Sequence, residues 1–267
     1  MTEELRAAIF DVDGTLVDSE RHGHRVAFNR AFEERDLPYR WNEDLYGELL
    51  HTTGGRRRIE GYLAGQGVPE DERAELAKAL HARKTEILEE LVEEGVIEVR
   101  PGAQRLLDEL AEAGVALAVG TTGSRRWVER LLRRMLPSVS WAAIVTGDDV
   151  TARKPDPEVF TVALEKLGLD GPAGAVVLED SGEGVAAAAA ANVCCAIVVN
   201  GYTADHDLAG ADIVLDGFGA PGAPAAVLAD PHGTASDGIL TVDLLRTLLQ
   251  RRASAPWTGL PGRSRVG

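Results

Sequence analysis

The sequence predicts an α/β protein built on a parallel sheet, and three observations carry that expectation. Ala7-Ala8-Ile9-Phe10 is an unbroken apolar run that stops at Asp11 and Asp13, as a strand buried on both faces would. From residue 103 onward, short apolar runs alternate with helical patterns, the mark of repeated strand–helix units. Three of the apolar runs end alike: in Asp11 and Asp13, in Gly120-Thr121-Thr122-Gly123-Ser124, and in Glu179-Asp180-Ser181-Gly182. In an open parallel sheet such ends lie along one edge, where ligands bind, so four carboxylates and a group of hydroxyls are expected to converge there.

The elements follow in order. Residues 19 to about 35 pattern as a helix with Phe28, Ala31 and Phe32 on one face, closed by Leu37-Pro38. A second helix spans Asn42 to Leu50. His51-Thr52-Thr53-Gly54-Gly55-Arg56-Arg57-Arg58 follows, where two glycines let backbone approach a ligand beside three arginines. Helical pattern resumes over Ile59 to Leu63 and breaks at Gly65 and Gly67-Val68-Pro69. Glu70 to about Glu94 is a long amphipathic helix whose stripe runs Ala77, Leu80, Leu88, Leu91, with Lys84 inside it, either snorkelling or functional. Val99-Arg100-Pro101-Gly102 is a turn and hinge.

The alternating part starts with a helix over Ala103 to Ala113. Strands are expected at Val115–Val119, Ala142–Val145, Ala175–Leu178, Cys195–Val199 and, last, Ala211–Leu215. Helices fall at Ser124–Leu136, Glu158–Leu167 and Gly184–Ala191. Beyond Asp216 the chain turns rich in Gly, Ala and Pro. One helix, Val242–Leu249, is able to pack there, and a disordered tail is expected after Ser254.

At 267 residues the chain can bury a sound core, as one large or two small domains. Its formal charge of −15 argues against nucleic acid or an anionic membrane as partner. A phosphate site would have to be built from local cations, amide dipoles or a metal. Cys194 and Cys195 are adjacent within an apolar run, which suits core residues in a reducing cytosol rather than a disulfide. Met1-Thr2-Glu3-Glu4 is no signal peptide, and no apolar run approaches the roughly 20 residues that span a bilayer. A cytoplasmic location is the expectation, and a monomer is compatible with the sequence, which leaves oligomeric state open.

Each strand end has a chemical task. Asp11 and Asp13 repel each other unless a cation or proton lies between them, which suits a nucleophile beside an acid/base with Mg2+. An ordinary acidic turn would give the same residues. Thr121 or Thr122, with backbone N–H groups opening the next helix, can hold phosphate oxygens, while Ser124 is placed to cap that helix. Asp180 beside Glu179 offers hard oxygens to Mg2+, or an acidic cap. Lys154 precedes Pro155-Asp156-Pro157, with Asp156 a good N-cap and Pro157 a good first helical residue. The lysine could then reach back to the sheet edge and neutralise phosphate, where a solvated lysine is the plain alternative.

Ala7 to Leu16 resembles the first motif of the haloacid dehalogenase superfamily. The Thr121 region resembles its second motif, Lys154 in Lys-Pro-Asp-Pro its third, and Leu178-Glu179-Asp180-Ser181 its fourth. Leu16-Val17-Asp18-Ser19-Glu20 is similar to the phosphatase branch that carries a cap after motif one. The resemblance implies a Rossmann-like parallel sheet core with an inserted all-helical cap domain: residues 1–18 and 100–216 as core, 19–99 as cap, 217–267 as an extension. It implies that Asp11 attacks phosphorus and Asp13 is acid/base, with Thr121 and Lys154 completing the clamp. Mg2+ would be held by Asp11, Asp13 through its carbonyl, and Asp180, with Glu179 near.

Trp41, Tyr46, Leu49-Leu50, Thr52-Thr53-Gly54-Gly55 and His81-Ala82-Arg83-Lys84-Thr85-Glu86 resemble the phosphatases that remove misfire products of rubisco, chiefly xylulose 1,5-bisphosphate. That implies substrate contacts by Glu20, Tyr46, Gly54, Gly55, Arg56, Lys84 and, in the core, Thr122, under a cap that opens and closes. Arg21 to His24 carries one residue more than the pattern, which leaves His22 and His24 as alternatives for the cap-proximal place. A sugar phosphomutase of the beta-phosphoglucomutase type shares these motifs. A dehalogenase would need no Asp13, and a non-catalytic sugar-phosphate-binding regulator would not need the intact set.

Overall fold

The computed structural model describes residues 4–52, 54–234 and 236–254. It divides into two compact units. One takes the described residues up to Val17 and from Val99 onward; the other is Asp18–Glu98.

The first unit is a seven-stranded sheet: β1 (Ala7–Phe10), β2 (Ala116–Gly120), β3 (Ala143–Val145), β4 (Ala175–Glu179), β5 (Cys194–Val198), β6 (Ile213–Leu215) and β7 (Val227–Ala229), in the order β3-β2-β1-β4-β5-β6-β7. All neighbours are parallel except β6 and β7. The apolar run of β1 is fully buried because it is central: Phe10 pairs with Val119 of β2 on one side and Leu178 of β4 on the other. That register sets Asp11, Gly120 and Glu179 side by side. Helices α5 (Ala103–Glu112), α6 (Arg125–Met135), α7 (Glu158–Lys166), α8 (Gly182–Ala190) and α9 (Val242–Ser254) complete the unit. On one face, α7 and α8 cover Ile9, Val177 and Ile197 with Phe160, Val159 and Val185; α5 packs against α9 elsewhere.

Several boundaries differ from the pattern reading. The strand expected to end at Val199 runs Cys194–Val198, and both cysteines are buried free thiols. The segment ending at Leu215 is not the last strand. The three-residue β7 follows it in antiparallel sense, too short among Ala, Pro and Gly to show a period. The helix expected over Val242–Leu249 continues to Ser254, and residues 217–254 belong to the first unit rather than standing apart. Arg105 on α5 donates to the carbonyls of Phe218, Gly219 and Leu240 at 3.3, 3.1 and 2.8 Å. Asp212, fully buried, accepts from the Cys195 N–H at 2.8 Å and from Arg252 of α9 at 2.5 Å, and pairs with His232 at 2.7 Å. The tail expected after Ser254 lies outside the described residues. No helix among the described residues is long and apolar enough to cross a membrane.

The second unit is helical. A π-helical turn, Glu20–His24, runs into α1 (Arg25–Glu33), followed by α2 (Glu43–Leu50), α3 (Gly55–Gly65) and α4 (Glu70–Glu93). Phe28, Phe32, Trp41, Tyr46 and Tyr62 form its aromatic core, with Asn29 exchanging two hydrogen bonds with the Trp41 backbone. Asn42 caps α2 by accepting from the Leu45 N–H at 2.8 Å. Helix α3 starts at Gly55 rather than Ile59, because Gly54 at φ +95 turns the chain and the three arginines fall in the first turn.

Candidate active site

The sheet edge is built around Lys154. Its ammonium donates to Asp11 Oδ1 at 2.6 Å, Glu179 Oε1 at 2.6 Å and the Gly120 carbonyl at 2.9 Å, which uses its three hydrogens. The lysine sits in the loop before α7, whose start is shaped by Asp156 accepting from the Glu158 N–H at 3.0 Å. Burial alone would drive its proton off. The charges of Asp11 and Glu179 outweigh that and hold it above the usual lysine range.

Glu179 is expected from sequence to stand near a metal, yet both its oxygens have protein partners. Oε2 accepts from the N–H groups of Asp180 at 2.8 Å and Ser181 at 3.0 Å and from Ser181 Oγ at 3.0 Å. These are donors at the start of α8, where a carboxylate is favoured. A side chain on Gly184 would collide with this carboxylate, so the Ser-Gly-Glu-Gly run is what lets Glu179 lie there. Burial pushes its pKa up, but Lys154 and the backbone donors win, and it lies below the usual value.

Asp180 accepts from Thr15 Oγ1 at 3.1 Å and from Asn200 Nδ2 at 2.7 Å. Gly14, at φ +89, passes so close that a Cβ would collide with Asp180 Oδ2. Burial, then repulsion from Glu179 and Asp11, pushes the Asp180 carboxyl well above its usual range. Asp11 is pushed up to about 7 by burial, against the pull of Lys154 and with repulsion from Glu179 added. Three buried carboxylates lie at this edge, and Lys154 pairs with two of them, Asp11 and Glu179.

Among the described residues, no three His, Cys, Asp or Glu side chains gather as a metal-ligand set. Asp11, Asp13, Glu179 and Asp180 come near enough for Glu179 and Asp13 to act on Asp11 and for Glu179 and Asp11 to act on Asp180, with Lys154 between Asp11 and Glu179 and the Trp127 Nε1 donating to Asp13 Oδ1 at 3.2 Å and Oδ2 at 3.3 Å. The residues nonetheless fit Mg2+, which takes one or two carboxylates plus substrate and water oxygens. Asp11 and Asp180 are hard oxygen donors buried at the same sheet edge.

Thr121 is buried at the end of β2, and its hydroxyl accepts from the Gly123 N–H at 3.2 Å, which leaves its own proton for a ligand. Thr122 is next to it and part-exposed. The cradle of backbone donors is smaller than expected, since the Arg125 N–H binds Asp148 at 2.8 Å. Ser124 holds the N-cap position of α6 without capping it through its side chain.

In the second unit, Tyr46 donates to Glu20 Oε2 at 2.5 Å and is met by Arg58 at 3.3 Å. Lys84, buried, lies 2.6 Å from His24 Nδ1 and 5.0 Å from the Phe28 ring centre. It is not a snorkelling residue, and His24 rather than His22 is its neighbour. A Cβ on Gly55 would sit 2.9 Å from the His81 ring. Burial, then Lys84, His24, Arg56 and Arg58, lower the His81 pKa. Arg56 itself is half-exposed and paired with Glu60 at 2.9 Å. Thr53 lies outside the described residues.

Pattern reading missed Asn200, Arg58, His81 and Trp127 as site residues. Asn200 carried a usable signal, because it ends the apolar run of β5 as Asp11 ends that of β1. Arg58 carried one too, as the last of three arginines after Gly54-Gly55, whereas Trp127 sits in a helix of ordinary periodicity and carried none.

A model of the haloacid dehalogenase-like hydrolases matches residues 5–192. A CBBY-like protein of Arabidopsis thaliana is 42% identical over 223 residues, 80% of this chain and 70% of its own. A phosphorylated carbohydrates phosphatase of Thermotoga maritima is 32% identical over 197 residues, 71% of this chain and 82% of its own. The crystal structure of an aspartate-to-asparagine mutant of CbbY from Rhodobacter sphaeroides, in complex with xylulose 1,5-bisphosphate, matches with a TM-score of 0.68 at 38% identity, covering 80% of this chain and 94% of that one.

Proposed function

The chain belongs to the haloacid dehalogenase-like hydrolases and is a phosphoric monoester hydrolase, and from that premise we propose that it is a Mg2+-dependent phosphatase of small sugar phosphates, with xylulose 1,5-bisphosphate the best-matched substrate. The observation that carries this reading is the Asp11–Lys154–Glu179 set at the end of β1, beside Asp180 and Thr121.

Lys154 engages Asp11 Oδ1 and leaves the other carboxylate oxygen for in-line attack. A bond forms from that oxygen to phosphorus, the bond from phosphorus to the sugar oxygen breaks, and Asp13 gives its proton to the departing oxygen. Asp13 then takes a proton from water as the water oxygen attacks the aspartyl phosphate, freeing phosphate and Asp11. Thr121 donates its hydroxyl proton to a phosphoryl oxygen, and Lys154 lowers the negative charge near it. Asp11, the Asp13 carbonyl and Asp180 would hold Mg2+, which supplies neutralisation of the charge on the phosphoryl oxygens. Thr15 and Asn200 keep Asp180 turned to that task, and Glu179 acts by fixing Lys154.

The second unit supports a bisphosphate. Lys84, Arg56 and Arg58 gather positive charge around His24 and His81 in a chain whose net charge is −15. Such a cluster suits a second phosphate, and the solved relative holds xylulose 1,5-bisphosphate. The Glu20–Tyr46 pair, with the backbone of Gly54 and Gly55, would take sugar hydroxyls, and Thr122 would assist Thr121.

The test is phosphate release from xylulose 1,5-bisphosphate, ribulose 1,5-bisphosphate and sugar monophosphates in 18O water, with Mg2+ and with chelator. The expected result is label in the released phosphate, dependence on Mg2+, and complete loss in Asp11→Asn. Isomerised sugar phosphate with no labelled phosphate would make the protein a mutase, and near-normal turnover by Asp11→Asn would overturn the assignment of the nucleophile.

A further inference from the structure

The Trp127 indole reaches across from α6 to the residue read above as the acid/base. We propose that Trp127 is a positioning residue for Asp13: its N–H fixes the plane of the carboxyl group, so that one side chain can serve the departing sugar oxygen and then the incoming water. This inference rests on the phosphatase reading given above.

The contact is a bifurcated one, 3.2 Å to Oδ1 and 3.3 Å to Oδ2. An indole N–H only donates. It can therefore hold the carboxyl group by either oxygen's lone pairs, whichever oxygen carries the proton. A donor that demanded one fixed oxygen would not allow both halves of the cycle equally. Lys154 cannot do this work, since its three hydrogens go to Asp11, Glu179 and the Gly120 carbonyl.

The indole is itself held still. It is 7% exposed, on the first turn of α6. That turn is pinned to the loop after β3: the Arg125 N–H donates to Asp148 at 2.8 Å, the Arg125 guanidinium to Asp149 at 2.6 and 2.5 Å, and the Gly147 N–H to the Gly123 carbonyl at 2.8 Å. At Gly123 a Cβ would lie at ordinary contact distance, 3.4 Å, from both Asp13 Oδ2 and Trp127 Cδ1, and closer, 3.1 Å, to Val128 Cγ2. A buried Trp needs a partner for its N–H, and here the partner is a reacting group rather than a backbone carbonyl.

The experiment uses leaving-group dependence. A sugar alkoxide needs a proton to depart, whereas 4-nitrophenolate does not, so loss of Asp13 alignment should show in kcat/KM only for the first. Two replacements at position 127 are compared with wild type: Trp127→Phe, and β-(3-benzothienyl)alanine, which keeps the bicyclic shape and has sulfur in place of N–H. The expected result for both is a fall of about ten- to a hundredfold in kcat/KM on a sugar phosphate, against less than twofold on 4-nitrophenyl phosphate, with KM little changed. Equal kcat/KM on both substrates as wild type, or equal losses on both, would overturn the inference. Should Trp127→Phe fail to fold, the isostere alone decides. Failure of the phosphatase reading would look different: wild type itself would release no phosphate from either ester.

Discussion

Glu179→Gln decides between two roles for a residue whose sequence context suggests a metal neighbour. If Glu179 is mainly one of several carboxylates crowding a cation site, then without metal its replacement relieves repulsion and the protein should become more stable. The geometry points the other way. The carboxylate accepts from Lys154 at 2.6 Å and from three donors at 2.8 to 3.0 Å. A glutamine keeps one acceptor oxygen and gains an NH2 group, which must face either the Lys154 ammonium or the donors of Asp180 and Ser181. Either choice sets donor against donor inside the core. Removing one partner of a buried ion pair costs about 3–5 kcal/mol, and Asp11 remains to hold part of Lys154, so the lower end of that range is expected. For a chain of this size, about 3 kcal/mol corresponds to a fall of roughly 6–12 °C in Tm. The assay is calorimetric and urea unfolding of both proteins in excess chelator, repeated with Mg2+. A variant as stable as wild type or more stable in chelator, with weakened Mg2+ binding, would refute the anchoring role and restore the ligand role.

Three other outcomes follow from the same coordinates. Arg252→Met takes the guanidinium from fully buried Asp212, leaving His232 and the Cys195 N–H; a loss of about 2–3 kcal/mol is expected in urea unfolding, and an unchanged midpoint would mean that α9 is not held through this pair. Lys84→Met should raise KM for a sugar bisphosphate about tenfold while changing kcat and the kinetics of a monophosphate little; equal effects on both substrates would remove Lys84 from the second phosphate. His81, held below its usual pKa by burial and by Lys84, His24, Arg56 and Arg58, stays neutral until the pH falls below the ordinary histidine range. A phosphate bound in that cluster favours the charged ring, so its pKa should rise on binding and phosphate affinity should strengthen as pH falls; an NMR titration showing no upward movement would place the anion elsewhere.

The sequence revealed much of the fold because β1, β4 and β5 are buried on both faces, which writes them as continuous apolar runs. It revealed the edge because each run ends abruptly in polar residues. It failed at β7, whose three residues are largely exposed on the outermost strand and carry neither run nor alternation. It also failed to show how α9 is joined to the rest, since that depends on Asp212 and Arg252 meeting across 40 positions. Within the site, spacing could place Asp11, Lys154 and Asp180 at one edge but not assign partners among them. Whether Glu179 faces a metal or a lysine depends on which way its carboxylate points, and that is set by the empty space over Gly184, a property of packing rather than of pattern.

The two units answer a phosphate group in opposite electrostatic ways. At the sheet edge, carboxylates outnumber cations: Asp11, Glu179 and Asp180 against Lys154. A dianionic phosphoryl group brought there alone would meet these carboxylates, and burial, with their mutual repulsion, already pushes both Asp11 and Asp180 up. On the phosphatase reading proposed above, a further cation such as Mg2+ would make it an anion site. In the second unit the balance is reversed: burial, then Lys84, His24, Arg56 and Arg58, lower the His81 pKa, and on the proposed reading this cluster would favour an anion without a metal. On the proposed reading, selectivity for a doubly phosphorylated sugar would come from residues of the second unit, while the chemistry would stay with the sheet edge of the first.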